Sequence, residues 1–566
     1  MKVPSLWASC FLAVASATYG ATAPVEATSL LQTLGQELHA NLIRLETQQE
    51  PPYFLSYEVS DEQDLLIRTS FGSLVETALD HSRLLDIDLR VGSPKLDNTH
   101  LIRGGGVSVQ GGAPFVRMPL DSSPYPVRWL LWYYTDNAYK QALERLSLVR
   151  ASERVKVQAR DTSQDMSKEE PVQQLGALHK FSVNTSLWED KLRRISAPFA
   201  RYKEIYKAEA VLHAGVETRW YVNSEGTRIR TSQDRYTLHI SAVTKADDGM
   251  ELPRFESFFA PSEEELPSET AALSAVEEII ADLLAMRRAP ITGPYVGPAI
   301  LSGRASGVFF HEVFGHRVEG NRLKSEADGQ TFKAMLGSPV LPHAFSVYFD
   351  PTLTSYAGYP LAGHYAYDNQ GVAGRRVTVV NDGIFGGFLM SRTPLAGFDH
   401  SNGHGRKQPG FWPVARQSNL VVEVNNAVTS QNLKDQLIQL LRAQHLPWGL
   451  RFEDIQGGFT LTRRTIPNAF NVIPIKVFRV YVDGHEELVR GVDLIGTPLA
   501  AFSKILAADD KPAVFNGICG AESGGVPVSA VSPGILLSQI EVQKKHKSQE
   551  RPPILPAPSS TPQEEQ

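Results

Sequence analysis

Cysteine is nearly missing from this chain: 566 residues carry two, Cys10 and Cys519. So few thiols exclude a fold stapled by disulfides. Long apolar runs are missing too. Beyond the first two dozen residues, nothing approaches the roughly 20 consecutive apolar residues that a membrane-spanning helix needs. Charge of one sign never accumulates: 56 Lys and Arg stand intermixed with 62 Asp and Glu, for a net charge of −6. Without a basic block there is no electrostatic footprint for nucleic acid. The clusters Gly104-Gly105-Gly106 and Gly111-Gly112 are not followed by Gly-Lys-Ser/Thr or by an opening helix. They read as a loop, not as a phosphate cradle. No segment repeats at a solenoid period.

What is present describes an ordinary globular protein, 42% apolar and 21% charged, with ample length for a core. The N-terminus has the parts of a secretory signal. Lys2 supplies the positive start, Ser5 to Ala17 is mostly apolar, and Ala15-Ser16-Ala17 and Ala21-Thr22-Ala23 are small-x-small cleavage sites. A buried N-terminal helix and a lipid anchor at Cys10 fit this segment less well. The expected protein is exported, to the periplasm or beyond. Once the signal is removed, Cys519 has no disulfide partner in its own chain. A lone thiol in an exported protein is either buried and inert or a metal ligand.

The hydrophobic pattern divides the rest. Helical spacing predicts helices over 28–47, 128–160, 187–195, 270–288 and 433–441. The aromatic group Trp129, Trp132, Tyr133 and Tyr134 at the head of the second helix is expected in the core. Alternating runs between Tyr53 and Val91 predict an antiparallel meander. Those between Tyr206 and Val243 flank a turn at Asn223-Ser224-Glu225-Gly226. Later strand-like runs lie at 295–302, 376–380, 420–424, 472–482 and 488–494. The fold class is α/β in the broad sense, an α+β mixture and not a doubly wound nucleotide fold. An N-terminal α/β region precedes a C-terminal mixed-sheet domain carrying a metal-binding helix. The expected segments are a signal at 1–23, an N-terminal domain at 24–125, a central domain at 126–290, a C-terminal domain at 291–542 and a disordered tail at 543–566.

The stretch that carries chemistry is Phe310-His311-Glu312-Val313-Phe314-Gly315-His316. Imidazoles bind zinc, and a carboxylate beside the metal is a general base. In His-Glu-x-x-His the two histidines sit four apart on one helix face. Here they sit five apart, roughly 140° around an ideal helix. Both reach one ion only if the helix is widened into a π-type turn or bent, and Gly315 is the expected place. The alternative is a pair of ordinary histidines on a half-buried helix. His343, His364, His400 and His485 have no such spacing and read as structural.

Ser306-Gly307-Val308-Phe309-Phe310-His311-Glu312-Val313-Phe314-Gly315-His316-Arg317-Val318-Glu319-Gly320 resembles the central signature of the TldD/PmbA metalloprotease family, also named for modulation of DNA gyrase. Three further stretches match in order: Tyr367-Asp368-Asn369-Gln370-Gly371-Val372, Ser401-Asn402-Gly403-His404-Gly405-Arg406, and Gly517-Ile518-Cys519-Gly520 followed by Val526-Pro527-Val528. The resemblance covers about Pro294 to Ile540. It implies one zinc ion per chain held by His311, His316 and Cys519, with Glu312 activating water for hydrolysis of small or unfolded peptides. Glu319 would orient an imidazole, and His404, Arg406 and Asp368 would contact substrate. The active site would be enclosed in a dimer, either of two copies or with another family member, and the substrate would lie extended along a sheet edge. Non-catalytic partner subunits of the family lack the metal motif, which this chain keeps. A metal-binding exported protein without turnover is the remaining alternative. Family members are largely cytoplasmic, so an export signal is a departure.

Overall fold

The protein is described here by a computed structural model covering residues 25–102, 116–121, 123–153, 162–324, 330–460, 470–545 and 555. The signal segment, the glycine loop at 104–112 and most of the tail lie outside the described residues. The fold is a mixture of helices and sheets, as expected.

Two long hairpins build the first sheet. Pro52–Ser70 pairs antiparallel with Ser73–Ser93, and Ile205–Asn223 with Arg228–Lys245; Pro52–Ser70 also pairs with Ile205–Asn223. The predicted meander is thus two continuous strands. Its polar interruption, Asp61 to Asp64, is not a turn, because Arg83 and His81 on the neighbouring strand hydrogen-bond Asp61 at 2.6 and 2.8 Å. The real turn is Phe71-Gly72, both residues at positive φ, the geometry favoured by two-residue hairpin loops. Among the described residues this sheet has eight strands, drawn from both sides of residue 125.

Helices Val25–Glu46 and Pro124–Glu153 share a core with this sheet, and Thr185–Ser196 and Glu269–Arg288 share a second core with it. Pro124–Glu153 buries Val127, Leu131, Thr135, Tyr139, Ala142 and Leu146 at helical spacing. The aromatic group expected in the core is largely on the opposite side. Trp129, Trp132 and Tyr133 are 42–50% exposed, and Trp129 stacks on Tyr133 with ring centroids 5.4 Å apart.

The second half is built on two further sheets. In one, Tyr295–Leu301, Ile535–Lys544, Val492–Gly496, Phe470–Tyr481 and Trp448–Thr460 form a closed ring of pairings. That last strand of the chain runs through Lys544, past the expected start of the tail. The other sheet has, among the described residues, six strands and ends in the order Asn419–Val424, Gly524–Ser532, Ala513–Ala521. Helix Gly303–Val313 leaves Tyr295–Leu301 and packs between the two sheets. Phe309, Phe310 and Phe314 cluster around Phe502 on one flank. On the other flank the helix backbone lies directly on Gly524–Ser532. A Cβ at Gly307 would stand 3.1 Å from the Ala530 carbonyl, and one at Gly303 would stand 2.8 Å from the Ser532 carbonyl.

Buried ion pairs join the halves. Lys407 bonds Asp86 and lies 3.0 Å from Glu58, and Arg392 lies 2.8 Å from Glu225. Among the described residues, no helix is long and apolar enough to cross a membrane.

The contact at Gly303 is testable. Gly303→Val forces the helix off backbone that cannot yield, at a cost of roughly 1–3 kcal/mol. Urea unfolding should show a lower midpoint, and an unchanged midpoint would mean that the helix is not seated this closely.

Candidate metal centre

The five-residue spacing of the histidines is accommodated by ending the helix. The α-helix stops at Val313, and Gly315–Arg317 forms a 3-10 turn, with Arg317 N–H donating to the Phe314 carbonyl at 2.8 Å. The backbone therefore tightens where a π-type widening was expected. Gly315 is indeed the pivot, but its role is space: a Cβ there would overlap the side-chain amide of Gln417. That amide donates to the His311 carbonyl at 3.3 Å, one of the helix-end carbonyls left without an intrahelical partner. The helix does not continue to Glu319; the carboxylate reaches His316 from an extended residue beyond the turn.

Cys519 comes from the edge strand Ala513–Ala521, 208 residues after His311. Its sulfur lies 3.2 Å from His311 Nε2 and 3.4 Å from His316 Nε2. Two ligands on one tetrahedral zinc, with bonds of about 2.0 and 2.3 Å, stand roughly 3.5 Å apart. The three ligand atoms lie within 4.8 Å of one another, and all three residues are buried. Nitrogen and sulfur donors in this arrangement fit zinc, and three protein ligands leave a position open.

His316 Nδ1 faces Glu319 Oε2 at 3.1 Å. A carboxylate there fixes the ring so that Nε2 points to the cluster. Burial alone would disfavour a charged ring, yet the Cys519 sulfur and the Glu319 carboxylate push His316 up to about 10. Burial would likewise raise the Cys519 thiol, but His316 and His311 hold it well below the usual thiol range. Glu319 is held well below the carboxylate range, against its burial, by His316 and Arg322. Both negative groups thus persist inside the protein.

Glu312 Oε2 lies 3.9 Å from His316 Nε2, and its own carbonyl accepts from Arg317 at 2.8 Å. A bulge in Trp448–Thr460 brings Gly458 against it; a Cβ at Gly458 would stand 2.8 Å from Glu312 Cγ and 3.0 Å from the Asn471 carbonyl.

The residues expected to contact substrate are instead held inside the protein. His404 is fully buried. Its Nδ1 faces the carbonyl and side chain of Asn402, its Nε2 faces Ser418, and burial pushes it down to about 3, so the ring is neutral. Arg406 donates to the Gln417 carbonyl and lies over the Tyr365 ring. Asp368 accepts from the backbone N–H groups of Gln370, Val372 and Gly405, while burial pushes it up to about 6. Each turns at least one polar atom toward a protein partner. Two neighbours escaped the sequence: Gln417 and the fully buried Arg416, which donates to Cys519 Sγ at 3.2 Å. No spacing rule marks an arginine 103 residues from its partner.

Fold and cluster together define an α+β protein with a candidate metal centre between two sheets. Comparison with known proteins is consistent with this. Residues 292–544 match the C-terminal domain, and residues 162–315 the central domain, of PmbA/TldA metallopeptidases. The chain belongs to the TldD/PmbA family. A metalloprotease of Methanothermobacter thermautotrophicus is 25% identical over 325 residues, 56% of this chain and 65% of that protein. A metalloprotease TldD homologue of Haemophilus influenzae is 25% identical over 254 residues, 43% of this chain and 48% of that one. The chain thus spans less than two thirds of the length of these relatives. The fold is shared with TldE of Thermococcus kodakarensis (TM-score 0.60, 14% identity, 90% of this chain and 100% of that one). A candidate modulator of DNA gyrase from Thermotoga maritima matches equally (TM-score 0.60, 14% identity, 90% and 99%).

The bulge beside Glu312 gives a prediction. Gly458→Ala should displace the Glu312 side chain while leaving His311, His316 and Cys519 in place. Bound metal should be retained, and any hydrolysis that uses Glu312 should fall at least about tenfold, since small misplacements of a reacting group cost up to about 10²-fold. Unchanged cleavage would show that Glu312 does not depend on this contact.

Proposed function

We propose that the protein is a zinc-dependent metallopeptidase that hydrolyses small or unfolded peptides. The observation that carries this reading is the convergence of His311, His316 and Cys519 beside the carboxylate of Glu312. The family supports it, since its relatives are named metalloproteases. A zinc ion held by these three side chains would supply Lewis acidity to the scissile carbonyl and to the attacking water.

The rest is the work of this chain. Glu312 takes the proton of the attacking water and passes it to the leaving amine. Glu319 keeps the His316 ring oriented. The strand carrying Cys519 pairs with Gly524–Ser532 on one side and lies at the end of its sheet. Its other edge offers backbone groups to an extended peptide, which favours unfolded substrates. The presence of all four motif residues disfavours a non-catalytic partner role.

The test is cleavage of an unstructured peptide by wild type and Glu312→Gln, with zinc quantified in both. Wild type should hold about one zinc per chain and cleave. Glu312→Gln should keep its zinc and lose about 10²-fold or more in rate. Cys519→Ala should lose the metal. Zinc retained with no cleavage by either protein would leave a metal-binding protein without turnover.

Export and self-association complete the reading. Lys2, the apolar run and the two cleavage sites support export to the periplasm or beyond. Mass spectrometry of the mature protein should find it beginning at Thr18 or Pro24; a chain retained in the cytoplasm with its first residues intact would count against export. A dimer, of two copies or with a second family member, should give twice the single-chain mass in light scattering.

A further inference from the structure

We propose that Arg416 is the positioning residue of the metal centre, holding the cysteine strand and the carboxylate that orients His316 in one fixed relation. This deepens the metallopeptidase reading and rests on it. Arg416 is fully buried, and its guanidinium reaches both sides of the cluster. Nη2 donates to the Cys519 carbonyl at 2.6 Å and to Cys519 Sγ at 3.2 Å. Nη1 donates to Ser523 Oγ at 2.8 Å and to the Gly524 carbonyl at 3.0 Å, in the turn that joins the cysteine strand to its neighbour. Nε faces Glu319 Oε1 at 3.5 Å, an ion-pair contact in which neither atom has a hydrogen-bond partner. Glu319 in turn holds His316, with Arg322 on its far side at 2.8 Å.

One planar group therefore connects the ligand from the edge strand with the ligand from the 3-10 turn. A lysine ammonium cannot do this, because its donors radiate from one atom and do not form a fork. A buried guanidinium is costly unless paired, and here the Cys519 and Gly524 carbonyls, the Cys519 sulfur and Ser523 accept from it while Glu319 faces it. The scaffold loop explains how Arg416 is held. Its N–H donates to the carbonyl of His404, and the strand Val414–Ala415 before it pairs with Gly405–Arg406. The His404 and Arg406 stretch then serves to seat Arg416.

The test uses Co2+ as a spectroscopic stand-in for zinc, titrated into metal-free wild type, Arg416→Lys and Arg416→Met. Folding is followed by circular dichroism and by thermal melting without metal. Wild type should bind Co2+ with a thiolate-to-cobalt charge-transfer band. Both variants should fold, bind about 10–100-fold more weakly, and show shifted cobalt bands, as expected when a partner behind a ligand is lost. Folded variants with wild-type affinity and spectrum would overturn the role of Arg416 and leave the metal centre standing. Failure of both variants to fold would make Arg416 a folding residue and overturn it too. No Co2+ bound by wild type would overturn the metal centre itself, and the proposal with it.

Discussion

The structure depends on how closely one helix approaches one strand. Gly303–Val313 lies with its backbone against Gly524–Ser532, where Gly303 and Gly307 leave no side chain between them. Ser306 and Ser532 meet through their hydroxyls at 2.7 Å in the same contact. That approach brings the end of the helix to the strand beyond, and so brings His311 to Cys519. Phenylalanines packed around Phe502 hold the opposite flank. The three side chains are thus carried on a helix end, the turn after it and a sheet edge, rigid elements that preorganise the site.

Charge is the second constraint, and it follows from the first. A helix end packed this tightly excludes water, so Cys519, Glu319 and Glu312 are taken out of solvent together. Buried negative groups persist only where cations face them. His316, Arg322 and Arg416 surround Glu319, Arg317 lies against the end of the helix, and Arg416 lies against the sulfur. The arginines make the site compatible with folding as well as with a metal. The same economy appears between the halves, where Lys407 answers Glu58 and Asp86.

Much of this was legible in order along the chain. The helices at 270–288 and 433–441 and the hairpin around Asn223 to Gly226 appear within a few residues of their expected places, because apolar periodicity and turn chemistry are local. The long hairpin over 52–93 was misread as shorter pieces, since the acidic run from Asp61 to Asp64 looks like a loop until Arg83 and His81 stand opposite it. Trp129, Trp132 and Tyr133 were expected inside because large aromatics usually are; the buried stripe of their helix is carried by smaller neighbours.

By itself the sequence determined that the histidines, the glutamate and one unpaired cysteine were the residues to watch, because their chemistry is a property of residue type and spacing. It also required a departure from regular helix between His311 and His316, since five steps cannot share a face. Only the tertiary structure decided the form of that departure, a 3-10 turn made where the Gln417 amide fills the space beside Gly315. Only it showed His404, Arg406 and Asp368 buried among protein partners, and placed Arg416 against the sulfur. The reason is separation: a contact across more than a hundred residues leaves no periodic trace in the chain, and exists only once the sheets have brought its partners together.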